Sequence, residues 1–176
     1  MASTPIAVRA AHFLGLAGAA WLSGNIAALS MNAVPGLVRS RDEHNATSKL
    51  IVRQWKNVYE AGKTQNPPVA IVVAASFIYS AWSVNSRPPL FQQTAYSRIG
   101  LFSVAAILTL SIVPYTLIAM SSTNNALLRL AASKEELLDR DSEQAKYLLE
   151  KWKKLNSFRS LLPLAGAMVG MVALAL

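Results

Sequence analysis

Four long apolar runs, separated by polar and mostly basic segments, set the plan of the chain. The first, Ala10 to Val34, follows Thr4 and Pro5, which suit a helix start, and Pro35-Gly36 predicts its end. The second, Pro67 to Val84, begins on a proline pair and stops at the turn-rich Asn85-Ser86-Arg87-Pro88-Pro89. In the third, Ile99 to Met120, Pro114 removes one helical hydrogen bond and predicts a kink where Tyr115 and Thr116 follow. A charged helical segment, Lys134 to Lys154, carries its acids Glu135, Glu136 and Asp139 early and its lysines late, as the helix macrodipole favours. It runs unbroken into the fourth apolar run, Ser160 to Leu176.

Between the first two runs, Leu50, Ile51, Gln54, Trp55, Val58 and Tyr59 recur at helical spacing, which predicts an amphipathic interfacial helix ended by Gly62. The expected architecture is all-α. It is a four-transmembrane-helix bundle in a single integral membrane domain over residues 1–176, with amphipathic or extended helical segments after helices one and three. The four helices are expected at about 5–34, 67–86, 98–121 and 143–176, and the interfacial helix at about 47–62.

Composition agrees: 53% of the 176 residues are hydrophobic and only 15% charged. The net charge of +8 sits outside the apolar runs, and with no nucleic-acid module it points to a membrane surface rather than to nucleic acid. Absence of cysteine excludes disulfides, thiolate metal sites and cysteine nucleophiles. Gly15, Gly18 and Gly24 permit close helix packing, in a bundle or in a dimer alike. The small residues near Ala17 to Ala20 also fit a cleaved signal peptide, but the run continues past Trp21 and Asn25 to membrane length, which favours a retained helix.

Charge then orients the helices. Loop one carries Arg39, Arg41, Lys49, Arg53, Lys56 and Lys63, and loop three is richer still, whereas the N-terminal segment and loop two hold only Arg9, Arg87 and Arg98. The positive-inside bias places loops one and three in the cytosol and both termini opposite, in the endoplasmic reticulum or derived vesicles if the cell is eukaryotic. A cytosolic loop one leaves the sequon Asn45-Ala46-Thr47 unmodified. It also brings three helix ends to one membrane face. Asn25 and Asn32 come from helix one, Tyr115, Thr116 and Asn124 from helix three, and Trp152, Asn156 and Arg159 from helix four, these last at i, i+4 and i+7 on one helical face.

Plain structural readings exist for each. Trp152 and its basic neighbours suit an interface anchor, and the asparagines suit interhelical hydrogen bonds worth about 0.6 to 2 kcal/mol each. His12 is about 20 Å from Asn25 along one helix, toward the opposite face. With His44 in a loop and no intramembrane carboxylate, a metal or haem site within one chain is not expected.

Four blocks together resemble the anthrone oxygenases, a family of small membrane proteins: W-L-S-G-N, Q-W-K-N-V-Y-E-A-G, I-V-P-Y-T followed by T-N-N-A-L-L, and W-K-K-L-N-S-F-R-S-L-L-P-L-A-G. The resemblance implies oxidation of a polyketide anthrone to its anthraquinone with O2 as co-substrate, in aromatic polyketide secondary metabolism. An anthrone loses a methylene proton to give an electron-rich enolate, which passes one electron to O2, so no metal or flavin is strictly required. The protein then supplies a dry, flat pocket and donors to the enolate oxygen.

Arg159 and Asn156, assisted by Asn124 or Asn25, are the expected donors, and Trp152, Trp21, Trp55, Tyr59 and Tyr115 the stacking walls. The base stays open among His12, Tyr59, Tyr115, Glu60 and bulk hydroxide. Two non-enzymatic readings compete: a membrane scaffold for a biosynthetic assembly, whose basic loops bind anionic lipid, and a small transporter. Against the second, the sequence holds no inverted repeat or paired broken helices.

Overall fold

A computed structural model describes residues 4–85 and 92–176, and among them no strand occurs. The helices are α1 (Ile6–Ala28), α2 (Val34–His44), α3 (Ser48–Asn85), α4 (Gln92–Leu110), α5 (Ile112–Tyr115), α6 (Ser121–Ala132) and α7 (Asp139–Ala175). Five-residue π-helical turns, Leu29–Ala33 and Thr116–Met120, link α1 to α2 and α5 to α6. The described residues thus form four helical stretches long and apolar enough to cross a membrane: Ile6–His44, Ser48–Val84, Ser97–Ala132 and Asp139–Ala175. The fold is all-α with four membrane-spanning helices, and the segments after the first and third spans are helical extensions of them.

These stretches outrun the apolar runs, for identifiable reasons. Pro35-Gly36 does not end the first helix, because proline is tolerated at the start of a new helical segment and here opens α2 directly after a π-helical turn. The stop comes at Asn45, which takes the left-handed conformation (φ 51°) and sends its N–H back to the Ser40 carbonyl. Thr47 then caps α3, its Oγ1 accepting from the Leu50 N–H at 3.3 Å.

Gly62 likewise fails to stop α3, since among the described residues no glycine adopts positive φ. The expected interfacial helix and second span are therefore one 38-residue helix with Pro67 and Pro68 inside it. The carbonyls those prolines leave unpaired belong to Lys63 and Thr64, which are exposed, so solvent can satisfy them. Around Pro114 the helix changes character twice: α4 ends before Ser111, whose hydroxyl donates to the Leu108 carbonyl at 2.6 Å, and at Thr116, where a kink was expected, a π-helical turn begins. The remainder of the predicted turn segment, Ser86 to Pro89, lies outside the described residues.

The described chain divides into two compact units. The first draws on Met1–Gly24, Asn66–Val113 and Ser160–Leu176. Its core joins Val73, Phe77, Phe102 and Ala105 with small residues such as Ala167 and Ala173. Helices approach closely there: a Cβ on Gly18 would sit 2.5 Å from Val73 Cγ2, and one on Gly170 2.6 Å from Phe77 Cε1. Gly15 is similarly tight against Phe77, but Gly24 has nothing within 4 Å and serves no such contact.

The second unit draws on Asn25–Gln65 and Pro114–Arg159. Its core is built from larger side chains, among them Val34, Trp55, Met120, Leu127, Leu149 and Trp152. Outside that core, Lys49 and Arg53 of α3 hold the segment before α7 by donating to the Lys134 and Ser133 carbonyls at 2.8 and 3.3 Å.

Candidate functional site

The second unit contains Asn25, Trp55, Tyr59, Tyr115, Asn124, Trp152, Asn156 and Arg159, which is most of what the convergence of helix ends predicts. Trp152, Asn156 and Arg159 lie on one face of α7. The first two are buried and Arg159 is partly so. Trp152 donates its indole N–H to Asn124 Oδ1 at 3.0 Å, so this asparagine holds a tryptophan in place. Trp55 is fully buried, stacked on Tyr59 at 5.2 Å between centroids and edge-on to Trp152 at 5.8 Å.

Asn156 differs from the expected donor. Its Nδ2 gives one hydrogen bond to the Ile26 carbonyl at 2.8 Å and one to Ser30 Oγ at 2.7 Å, which engages both amide hydrogens. A backbone carbonyl only accepts, so Nδ2 must face Ile26. Oδ1 is thereby turned away, buried and without a hydrogen-bond partner. Asn156 presents an acceptor where a donor was expected. Asn25, next to Ile26, is only partly buried.

Arg159 keeps the donor role. Its Nη1 donates to Thr116 Oγ1 at 3.0 Å, on the second π-helical turn, while Nε is buried and without a partner. The phenols of Tyr59 and Tyr115 lie within electrostatic reach of the guanidinium, and Tyr115 stacks on Phe158 at 5.5 Å. Trp55 Nε1 and Thr123 Oγ1 are two further buried polar atoms lacking partners in this unit. Each such atom costs about 1–3 kcal/mol in a folded chain. Of the four in this unit, Asn156 Oδ1 and Arg159 Nε belong to residues three apart on one face of α7, an acceptor and a donor that can meet a polar guest.

The other candidates are elsewhere. Trp21 belongs to the first unit and is 47% exposed, so it is not among the gathered rings. His12 also belongs to the first unit, its ring stacked on Phe102 at 5.6 Å. Glu60 is exposed and paired with Lys56 at 3.6 Å. Trp55 and Trp152 are packed into the core, whereas Tyr59 and Tyr115 are the rings whose phenols act electrostatically on the guanidinium. Among the described residues no group of three or more His, Asp or Glu is placed to hold a metal ion.

Sequence reasoning placed Thr116 among the converging polar groups but gave it no role in the site, and it missed Ser30 and Thr123. Ser30 and Thr116 are hydroxyls inside apolar runs, each two to five residues from a proline, Pro35 or Pro114. That neighbourhood was the available signal.

Four membrane-spanning helices define a multi-pass membrane protein, with buried polar side chains and aromatic rings gathered in its second unit. Residues 55–169 match the anthrone oxygenase family, and the chain belongs to it. It is 34% identical over 171 residues to an anthrone oxygenase of Aspergillus fumigatus, covering 91% of this chain and 90% of that one. An anthrone oxygenase of Claviceps purpurea is 33% identical, with 90% and 85% covered. A noranthrone monooxygenase of Aspergillus flavus is 28% identical, with 92% and 71% covered. No solved structure matches the chain significantly. The family match spans both α7 residues, Asn156 and Arg159, together with Thr116.

Proposed function

We propose that this protein oxidises a polyketide anthrone to the corresponding anthraquinone with O2, at the locus around Arg159 in the second unit. The family supports the reaction, and the buried, unpartnered Nε of Arg159 is the observation that supports the site. Overall, anthrone and O2 give anthraquinone and water. The methylene proton leaves first, and the negative charge collects on the ring oxygen. Arg159 donates to that oxygen, stabilising the enolate before and during electron transfer to O2. The carbon radical and superoxide combine to a peroxide anion, which takes back the proton to become a hydroperoxide, and this loses water to give the new carbonyl. Asn156 Oδ1 orients the guest as an acceptor and takes no charge.

The proton passes to Tyr59 or Tyr115 in its phenolate form, paired with the guanidinium of Arg159, and returns from that phenol to the peroxide, which leaves the phenolate for the next turnover. Glu60, engaged with Lys56 at the surface, and His12, packed in the first unit, are less well disposed. The enolate is itself the reductant of O2, so the chemistry needs no resident metal or flavin. Loops one and three face the cytosol on this reading, and an amphiphilic anthrone enters from the membrane, which in a eukaryotic cell is the endoplasmic reticulum or a vesicle derived from it.

The test compares Arg159→Lys and Asn156→Leu with wild type in membranes holding equal protein, following quinone absorbance above the spontaneous background. Loss of an oxyanion donor predicts a fall of about 100- to 1000-fold for Arg159→Lys, and Asn156→Leu falls less. Near-normal rates in both would sink the assignment.

A further inference from the structure

We infer that Thr116 and Ser30, one on each π-helical turn, are positioning residues that fix Arg159 as donor and Asn156 as acceptor. The inference rests on the reading of Arg159 and Asn156 given above. It concerns residues that touch those two side chains rather than the guest.

An arginine side chain is long, and its planar fork of five N–H groups has no set direction without an anchor. Thr116 Oγ1 supplies one by accepting from Nη1 at 3.0 Å. With that edge tied down, the plane is defined, and Nε is left buried and available. Ser30 does the equivalent for Asn156. It accepts the second amide hydrogen at 2.7 Å, while the Ile26 carbonyl takes the first at 2.8 Å. Without Ser30 the amide keeps one bond and can rotate about it. With Ser30 both hydrogens are held, and Oδ1 has one direction.

Both anchors occupy the same kind of place. Ser30 lies in Leu29–Ala33 and Thr116 opens Thr116–Met120, the two π-helical turns of the described chain. Such turns are rare and recur at functional sites, where they re-aim a side chain relative to the regular helix. Their partners Asn156 and Arg159 are three residues apart on α7, hence neighbours on one face. Elsewhere the described hydroxyls behave differently. Ser76, Ser80, Ser103 and Thr109 each donate to the carbonyl four residues back in their own helix and touch no functional side chain.

The experiment measures kcat and KM for anthrone oxidation in full-length protein for Thr116→Val, Thr116→Ser and the double variant Thr116→Val/Arg159→Lys. Misaligning a donor by loss of its anchor lowers kcat about tenfold for Thr116→Val, with KM changed less than about threefold. Thr116→Ser, which keeps the hydroxyl, recovers kcat to within about threefold of wild type. In the Arg159→Lys background Thr116→Val costs nothing further, because the group it orients is already gone.

A wild-type kcat in Thr116→Val, or losses that multiply in the double variant, would overturn the inference. If Thr116→Val does not accumulate, Ser30→Ala against Asn156→Leu applies the same test at the other turn. An active Arg159→Lys enzyme defeats the donor reading itself. An impaired Arg159→Lys beside an unimpaired Thr116→Val defeats only the positioning.

Discussion

The two units handle buried polar groups in opposite ways. In the first, side chains give hydrogen bonds to backbone carbonyls: Ser76 to Val72, Ser80 to Ser76 and Thr109 to Ala105 within their own helices, and Ser23 to Ser160 and Arg98 to Ala173 across to α7. In the second, side chains bond side chains far apart in sequence: Trp152 with Asn124, Asn156 with Ser30, Arg159 with Thr116. A hydroxyl that returns to its own helix satisfies itself in lipid and asks nothing of its surroundings. A network that crosses between elements, and still leaves Nε of Arg159 and Oδ1 of Asn156 unpartnered, gives up stability for a preset arrangement. On the proposed reading the first unit is packing and the second carries the chemistry.

Breaking the second pattern gives the largest stability effect. Trp152→Phe keeps an aromatic ring but removes the donor to Asn124 Oδ1, leaving a buried acceptor unsatisfied. The expected loss is about 1–3 kcal/mol, seen as a lower melting temperature of detergent-solubilised protein. Activity falls as well, because Trp152 braces Trp55, and Trp55 stacks on Tyr59 beside the guanidinium. A Trp152→Phe protein with unaltered turnover would separate the aromatic core from the site.

Much of this contrast could be read from residue order. The four apolar runs set the spans, and the i, i+4, i+7 spacing of Trp152, Asn156 and Arg159 set one face of α7. Charge bias then pointed to the helix ends that the second unit gathers. What was not legible depended on backbone detail. Pro35 and Gly62 are stop signals by local preference, yet a π-helical turn and helical φ values carry the chain through them. Asn156 looks like a donor by residue type, and only the Ile26 carbonyl and Ser30 decide that its oxygen is the atom left over. Trp21 matched the aromatic pattern, but its place in the chain assigns it to the first unit.

The first unit should respond to bulk rather than to polarity. At Gly166 a Cβ would come 2.8 Å from Thr109 Oγ1 and 3.0 Å from the Ala105 carbonyl, which is backbone and cannot rotate away. Gly166→Leu therefore overpacks α4 against α7, with an expected cost of about 1–3 kcal/mol, offset in part by roughly 1 kcal/mol of better helix propensity. The melting temperature falls, while turnover per folded molecule stays near wild type. A selective loss of turnover with unchanged melting would place chemistry in the first unit and erase the contrast.

The smallest effect is expected at Ser80, and it sharpens the comparison most. Ser80 is fully buried, as Asn156 is, yet its hydroxyl only donates back to Ser76 at 2.8 Å. Ser80→Ala removes the donor and the hydroxyl together, and the Ser76 carbonyl keeps its place in the backbone ladder of α3. No group is orphaned, so stability should shift by no more than about 0.5 kcal/mol, with alanine the better helix former. Burial alone would predict that Ser80 and Asn156 matter equally. The direction of the hydrogen bond predicts that they do not, since one closes on its own helix and the other ties α7 to the end of α1 and its π-helical turn. Equal sensitivity of turnover at Ser80 and Asn156 would mean that depth in the protein, rather than the cross-helix network, governs activity.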